Sequence, residues 1–374
     1  MKTILTLSVL SLLFVTQSAL ASEPNSVTTA SGTEQFDEHY FDGPYLFYKK
    51  GDEQEASDKQ HASWICDSTL LTTEITELQL QRPLNCGQLP EPLLNQDAKV
   101  VHPDTYTGVK KIVALSDVHG QYDVLIHLLK KQKIIDQNGD WAFGDGHMVM
   151  TGDMFDRGHQ INEVLWFMYK LDRQASKAGG KLHLLMGNHE QMVMRGDLRY
   201  VNERYQTTEK LLNRTYDELY DNSSEIGQWL RSKNTLVKIN DSLFLHGGVS
   251  SEWLERGLNL ERANRLYRAN VDKSKEEIRQ DPLLNFLFFG NGPTWFRGYF
   301  KPDFDENELD KILAYFQVKR VVVGHTSQEQ VLGLFDNRVL AIDSSIKNGN
   351  SGEILLMKEG HLIRGLYNGN RQAL

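Results

Sequence analysis

The sequence predicts an α/β fold, and three observations carry that expectation. From Lys110 onward, short apolar runs alternate with segments of helical spacing. Each run ends in a polar cluster, and glycines beside those clusters permit sharp turns. The runs lie at 112–115, 147–151, 182–186, 243–245 and 321–323. Between the third and fourth, residues 199–233 space Leu211, Leu212, Tyr216, Leu219 and Tyr220 as a helix would, and a second such segment covers 253–289. These predict helical insertions at about 196–240 and 253–290 within a catalytic domain spanning 106–374. Ahead of it, residues 22–105 form an N-terminal extension. Its first part, to about residue 40, is polar and expected to be frayed. Alternating runs such as Tyr45-Leu46-Phe47-Tyr48 and Leu70-Leu71-Thr72-Thr73 then predict β structure, with turns near Gly51 and Pro83.

Composition removes several classes of function. Lys plus Arg total 41 against 50 Asp plus Glu in 374 residues, a formal charge of −9, so nothing draws the chain to nucleic acid or anionic lipid. Two cysteines cannot build a zinc finger, an iron–sulfur site or a disulfide framework. Residues 1–21 combine Lys2, an apolar stretch at 4–15 and the small-residue run Ser18-Ala19-Leu20-Ala21, the pattern of a cleaved secretory signal too short to span a bilayer. An exported chain, periplasmic or secreted and free of the membrane after processing, is expected; losing Lys2 and no acid takes −9 to −10. In an oxidising compartment Cys66 and Cys86 form either a disulfide or two unrelated buried thiols. Neither is followed by an arginine six residues on, which excludes cysteine-thiolate phosphatase chemistry.

The chemistry sits where the runs end. Ser116-Asp117-Val118-His119-Gly120 comes first, then Gly152-Asp153-Met154-Phe155-Asp156-Arg157-Gly158, Gly187-Asn188-His189-Glu190, His246-Gly247-Gly248 and Gly324-His325-Thr326. In an α/β sheet the carboxyl ends of the strands open onto the ligand crevice, so the five clusters converge. Asp117, His119, Asp153, Asn188, His246 and His325 offer oxygen and nitrogen but no sulfur, a donor set suited to two divalent or trivalent ions such as Zn, Fe or Mn. By contrast His127, His147, His159 and His183 have no ligand neighbour and read as packing or surface residues.

The ordered set D-x-H, GDMFDRG, GNHE, LHGG and G-H resembles the calcineurin-like metallophosphoesterases, and within them the phosphoprotein phosphatases. Gly292-Pro293-Thr294-Trp295-Phe296-Arg297 is similar to a segment of the Shewanella-like protein phosphatases, whose bacterial members include a secreted protein-tyrosine phosphatase. The resemblance spans about 108–345 and implies two mixed sheets packed as a sandwich with helices outside. It implies Asp117 and His119 on a first metal, Asp153 bridging, and Asn188, His246 and His325 on a second. Ser327 stands where the wider superfamily carries a further histidine, leaving the first metal more open to water. Asp156 stands where purple acid phosphatases carry a tyrosine, which disfavours that branch.

Two such ions polarise a phosphate and activate water for direct attack on phosphorus. His189, oriented by Asp156, is then placed to protonate the leaving group, and Arg157 and Arg297 to clamp phosphate oxygens. Glu190 is expected to hold a ligand histidine through its other ring nitrogen. The expected partner is a phosphorylated protein, phosphotyrosine ahead of phosphoserine, or a small phosphomonoester; Phe155, Trp166, Trp295, Phe296, Tyr299 and Phe300 are candidates to stack on a phenol ring. The rival readings are a periplasmic nucleotide or dinucleoside-polyphosphate phosphoesterase and a non-catalytic secreted metal-binding protein.

Overall fold

The computed structural model describes residues 39–48, 60–95 and 97–374. The signal at 1–21, nearly all of the polar stretch that follows it and the turn near Gly51 lie outside the described residues. Strands β1 (Asp42–Tyr48), β2 (Gln60–Cys66) and β3 (Thr69–Glu74) form an antiparallel sheet in sequence order. Period-2 alternation puts Ala62, Trp64 and Cys66 into the same apolar cluster as Trp166, Tyr169 and Trp229 of the catalytic region. Cys66 and Cys86 are bridged, with Cα atoms 4.6 Å apart, which settles the choice between disulfide and free thiols. Among the described residues of 75–104 the β structure is one isolated bridge, Gln79 to Leu93, so strands fill the middle of the extension and not its end.

Beyond β4 (Thr105–Tyr106), the chain alternates β5 (Lys111–Leu115), α1 (Tyr122–Lys131), β6 (His147–Met150), α2 (Ile161–Lys177) and β7 (Lys181–Leu184), the three longer strands being parallel. Helix α3 (Asn188–Val193) follows, then α4 (Tyr205–Leu212) and α5 (Glu225–Arg231) in the first insertion. That insertion ends before 240: Leu236-Val237-Lys238-Ile239 is strand β8 (Leu236–Ile239), antiparallel to β9 (Ser242–Leu245). So short a run carries little period, and pairing with β9 decides its state. Helices α6 (Ser251–Glu255), α7 (Leu260–Asn270), α8 (Lys275–Gln280) and α9 (Pro282–Phe288) fill the second insertion. The rest is α10 (Glu306–Phe316), β10 (Arg320–Val323), β11 (Leu332–Leu334), β12 (Val339–Ala341), β13 (Glu353–Lys358), β14 (His361–Leu366) and β15 (Arg371–Ala373).

Among the described residues the catalytic region holds two six-stranded mixed sheets, in the orders β15-β14-β13-β5-β6-β7 and β11-β12-β10-β9-β8-β4. Alternation along each strand builds the layers. Ile112, Ala114, Val149 and Leu355 of the first sheet meet Val237, Ile239, Phe244, Val322 and Leu340 of the second in one cluster between the sheets. The intervening residues face outward: Val113, Leu115, Met148 and Met150 pack on α1 and α2, whereas Leu243, Leu245, Val321 and Val323 pack on the helices from α6 to α10. Strands buried on both faces read as continuous apolar runs, which is why all five predicted runs are strands. No helix among the described residues is long and apolar enough to cross a membrane.

Candidate metal centre

The loops leaving β5, β6, β7, β9 and β10 meet at one end of the sandwich. Six of the residues singled out there, Asp117, His119, Asp153, Asp156, Arg157 and His325, have φ between 45° and 70°. Left-handed backbone costs a non-glycine residue on the order of 1 kcal/mol or more, and such strain gathers at functional sites. It turns each side chain back toward the strand ends. Gly187 and Gly324 allow the loops to close: a Cβ at Gly187 would lie 2.2 Å from Asp153 Oδ1, and one at Gly324 2.6 Å from Asp117 Oδ2.

Asp153 Oδ2 is the hub. It lies 3.1 Å from His246 Nε2, 3.6 Å from His119 Nε2 and 3.8 Å from His189 Nε2. The other nitrogens fix the tautomers, because Nδ1 of His119 must donate to the Phe155 carbonyl (2.6 Å) and Nδ1 of His246 to the Thr151 carbonyl (3.0 Å). His119 Nε2 therefore presents a lone pair, and His246 Nε2 does so once its proton is displaced. Around His246 Nε2 stand Asn188 Oδ1 at 2.9 Å and His325 Nδ1 at 3.1 Å as well as Asp153. Acceptors facing acceptors in a buried site are satisfied by a cation, so the residues fit a metal pair. Two donor groups lie within 4.8 Å, His119 with Asp153 and His189, and Asp153 with His246 and His325; Asp153 belongs to both. Asp117 faces the first, its Oδ1 being 3.8 Å from His119 Nε2, while its Oδ2 is held by the Ser116 hydroxyl at 2.5 Å and the His325 N–H at 2.9 Å.

Two of the histidines match that donor set as they stand, whereas for His246 burial opposes the cation but Asp153 and Asp117 raise it to about 9, so a bound ion would displace its proton. Burial pushes His119 down to about 3 and, with the neighbouring His246 and Arg297, His325 down to about 2, leaving neutral imidazoles. Burial opposes ionisation of Asp153, but His246 and His189 outweigh it and hold the carboxyl well below its usual range. His189 and Asp156 join at 2.5 Å between Nδ1 and Oδ2. Burial works against the His189 cation, yet Asp153 and Asp156 raise its pKa above the ordinary value.

Several expectations are corrected. Glu190 holds no ligand histidine: its carboxylate accepts the backbone N–H groups of Asp153 (2.8 Å), Met154 (2.7 Å) and Gly187 (2.7 Å), bracing the loop that carries Asp153. Carbonyls hold the histidines instead. Phe155 packs on Tyr216 and Tyr220, Trp166 donates to the Pro44 carbonyl inside the protein, and Phe296, Tyr299 and Phe300 belong to the apolar cluster behind the second sheet. Of the six aromatics only Trp295 flanks the centre, its ring 5.9 Å from that of His325. Arg157 is exposed at the rim, and Arg297 donates to the His325 carbonyl at 2.7 Å. His147 and His183 pair with each other at 2.9 Å, and His127 stacks on Tyr367, away from the centre. The sequence reading missed Tyr200, whose ring lies 5.4 Å from that of His189, and Asp343, which accepts the Ser327 hydroxyl at 2.6 Å. Asp343 stands just past the apolar run Val339-Leu340-Ala341-Ile342, so the strand-end rule that found the other clusters would have found it too.

Fold and centre together define a metal-dependent phosphoester hydrolase. Residues 110–329 match the model of the calcineurin-like phosphoesterases. Shewanella-like protein phosphatase 1 of Plasmodium berghei is 30% identical over 253 residues, covering 64% of this chain and 69% of that protein. Shewanella-like protein phosphatase 2 of Arabidopsis thaliana is 27% identical, covering 64% and 72%. The crystal structure of a cold-active protein-tyrosine phosphatase from a psychrophilic Shewanella is 64% identical, with a TM-score of 0.87, over 90% of this chain and 99% of that one. The chain belongs to the calcineurin-like phosphoesterases, among relatives named Shewanella-like protein phosphatases. Enzymes of this family use a dinuclear metal centre.

Proposed function

We propose that this chain is a protein phosphatase that hydrolyses phosphotyrosine. Its likeness to the Shewanella protein-tyrosine phosphatase, 64% identity over 99% of that chain, supports the substrate class. The observation that carries the chemistry is the convergence of acceptor atoms on Asp153 Oδ2 beside a paired His189–Asp156. Asp117, His119 and Asp153 would hold one ion, and Asp153, Asn188, His246 and His325 the other. When bound, the ions neutralise phosphate oxygens and supply an activated water.

The chain's own residues do the rest. His189 holds a proton on Nε2 because Asp156 takes the hydrogen bond of Nδ1 and favours the imidazolium. That proton passes to the phenolic oxygen as its bond to phosphorus breaks. Arg157, fixed through its N–H to the Tyr200 carbonyl (2.8 Å), and Arg297, fixed by the His325 carbonyl, supply guanidinium groups for the outer phosphate oxygens. Glu190 and Ser116 keep Asp153 and Asp117 from rotating away.

Chelated protein reloaded with single metals should hydrolyse a phosphotyrosine peptide faster than the matching phosphoserine peptide and a dinucleoside polyphosphate. A faster rate on the polyphosphate would overturn the protein-phosphatase reading.

A further inference from the structure

We propose that Tyr200 determines substrate class by stacking on the aromatic ring of the leaving group, an inference that rests on the phosphotyrosine reading. Tyr200 is 44% exposed, and its ring lies beside His189, the group proposed to protonate the leaving oxygen. Arg157 and Arg199 each place a guanidinium carbon 5.5 Å from its ring centroid, and its carbonyl accepts the Arg157 backbone N–H. Arg199 is tied in turn to Asp197 at 2.7 and 2.8 Å.

The contacts across the centre run from Tyr200 to His189, Asp153, His246, His325 and Trp295, so the metal ligands lie between two aromatic side chains. The Tyr200 end is where the leaving group must sit, since the proton donor is there. A phenyl ring leaving from phosphorus toward His189 would meet the Tyr200 ring, whereas a seryl methylene would offer it almost no surface. Such a contact exists before and during bond cleavage alike, so it acts on binding more than on turnover.

The test compares kcat and KM of metal-loaded wild type, Tyr200→Ala and Tyr200→Phe on a phosphotyrosine peptide and a phosphoserine peptide of otherwise identical sequence. Tyr200→Ala should raise KM for the phosphotyrosine peptide about fivefold, change KM for the phosphoserine peptide less than about twofold, and leave kcat nearly unchanged on both. Tyr200→Phe should restore the phosphotyrosine value. Equal losses on both peptides would overturn stacking and make Tyr200 a positioning residue for Arg157; no change on either would remove it from the site. The selective KM change is read whether or not wild type prefers phosphotyrosine. Absence of that preference in wild type would instead count against the phosphotyrosine reading itself.

Discussion

Two buried carboxylates in this protein, Asp42 and Asp153, differ in one respect that decides their roles. Both carboxylate oxygens of Asp42, in β1, meet donors: the Gly43 N–H and the hydroxyls of Tyr45 and Thr208 reach them at 2.8, 2.8 and 2.5 Å. Asp172 behaves likewise, taking Lys233 Nζ at 2.9 Å and the Trp229 indole N–H at 3.1 Å. Around Asp153 stand Nε2 of His119 and His246, with the Asn188 amide oxygen against His246, and among the described residues Asp156 Oδ1 finds no donor. A carboxylate met by donors on both oxygens holds the fold together; one ringed by nitrogen and oxygen ligand atoms is built to receive ions.

Substitutions should separate the two. At the centre, His189→Ala should lower kcat by on the order of 10²–10⁴ while the metals stay bound, measured by steady-state kinetics with elemental analysis. Loss of metal alongside activity would instead make His189 a ligand in the group it shares with His119 and Asp153. In the satisfied cluster the opposite pattern is expected. Asp42→Ala strands the hydroxyls of Tyr45 and Thr208 and the Gly43 N–H, and should cost about 3 kcal/mol in denaturant unfolding with metal content and kcat per folded molecule intact.

Replacing Cys66 and Cys86 together by serine should cost a similar or smaller amount, about 2–3 kcal/mol, again without touching the centre. A pH-dependent effect concerns Glu163, in α2, which burial and then the nearby Asp42 raise to about 7. Its folded pKa exceeds the unfolded value near 4.5, so its contribution is present below that value and lost as pH climbs through about 7. Glu163→Gln should flatten the stability profile between those limits. An unchanged slope would show that Glu163 ionises normally in the fold.

Much of this was legible before the structure. The five strands were readable because strands covered on both faces are uniformly apolar. Their polar termini could be placed together because a parallel arrangement sends every carboxyl end the same way. What escaped the sequence was set by contacts distant along the chain. Strand β8 is four residues that become a strand by pairing with β9, and Glu190 sits in a familiar string but spends its oxygens on backbone N–H groups that only folding brings near. The aromatics illustrate the same limit. Proximity in sequence nominated six, of which Trp295 alone flanks the centre, while Tyr200 came from a helical insertion and met His189 only in three dimensions.

The central claim is that the Asp153 cluster lacks positive charge that two ions supply. Titrating chelated protein with zinc or manganese alone by calorimetry, for wild type and Asp153→Asn, tests it most directly. Wild type should bind two ions per chain, and the variant, lacking the shared oxygen's charge, should lose tight binding at both positions and all measurable activity. Two ions bound by Asp153→Asn with unchanged affinity would contradict the account.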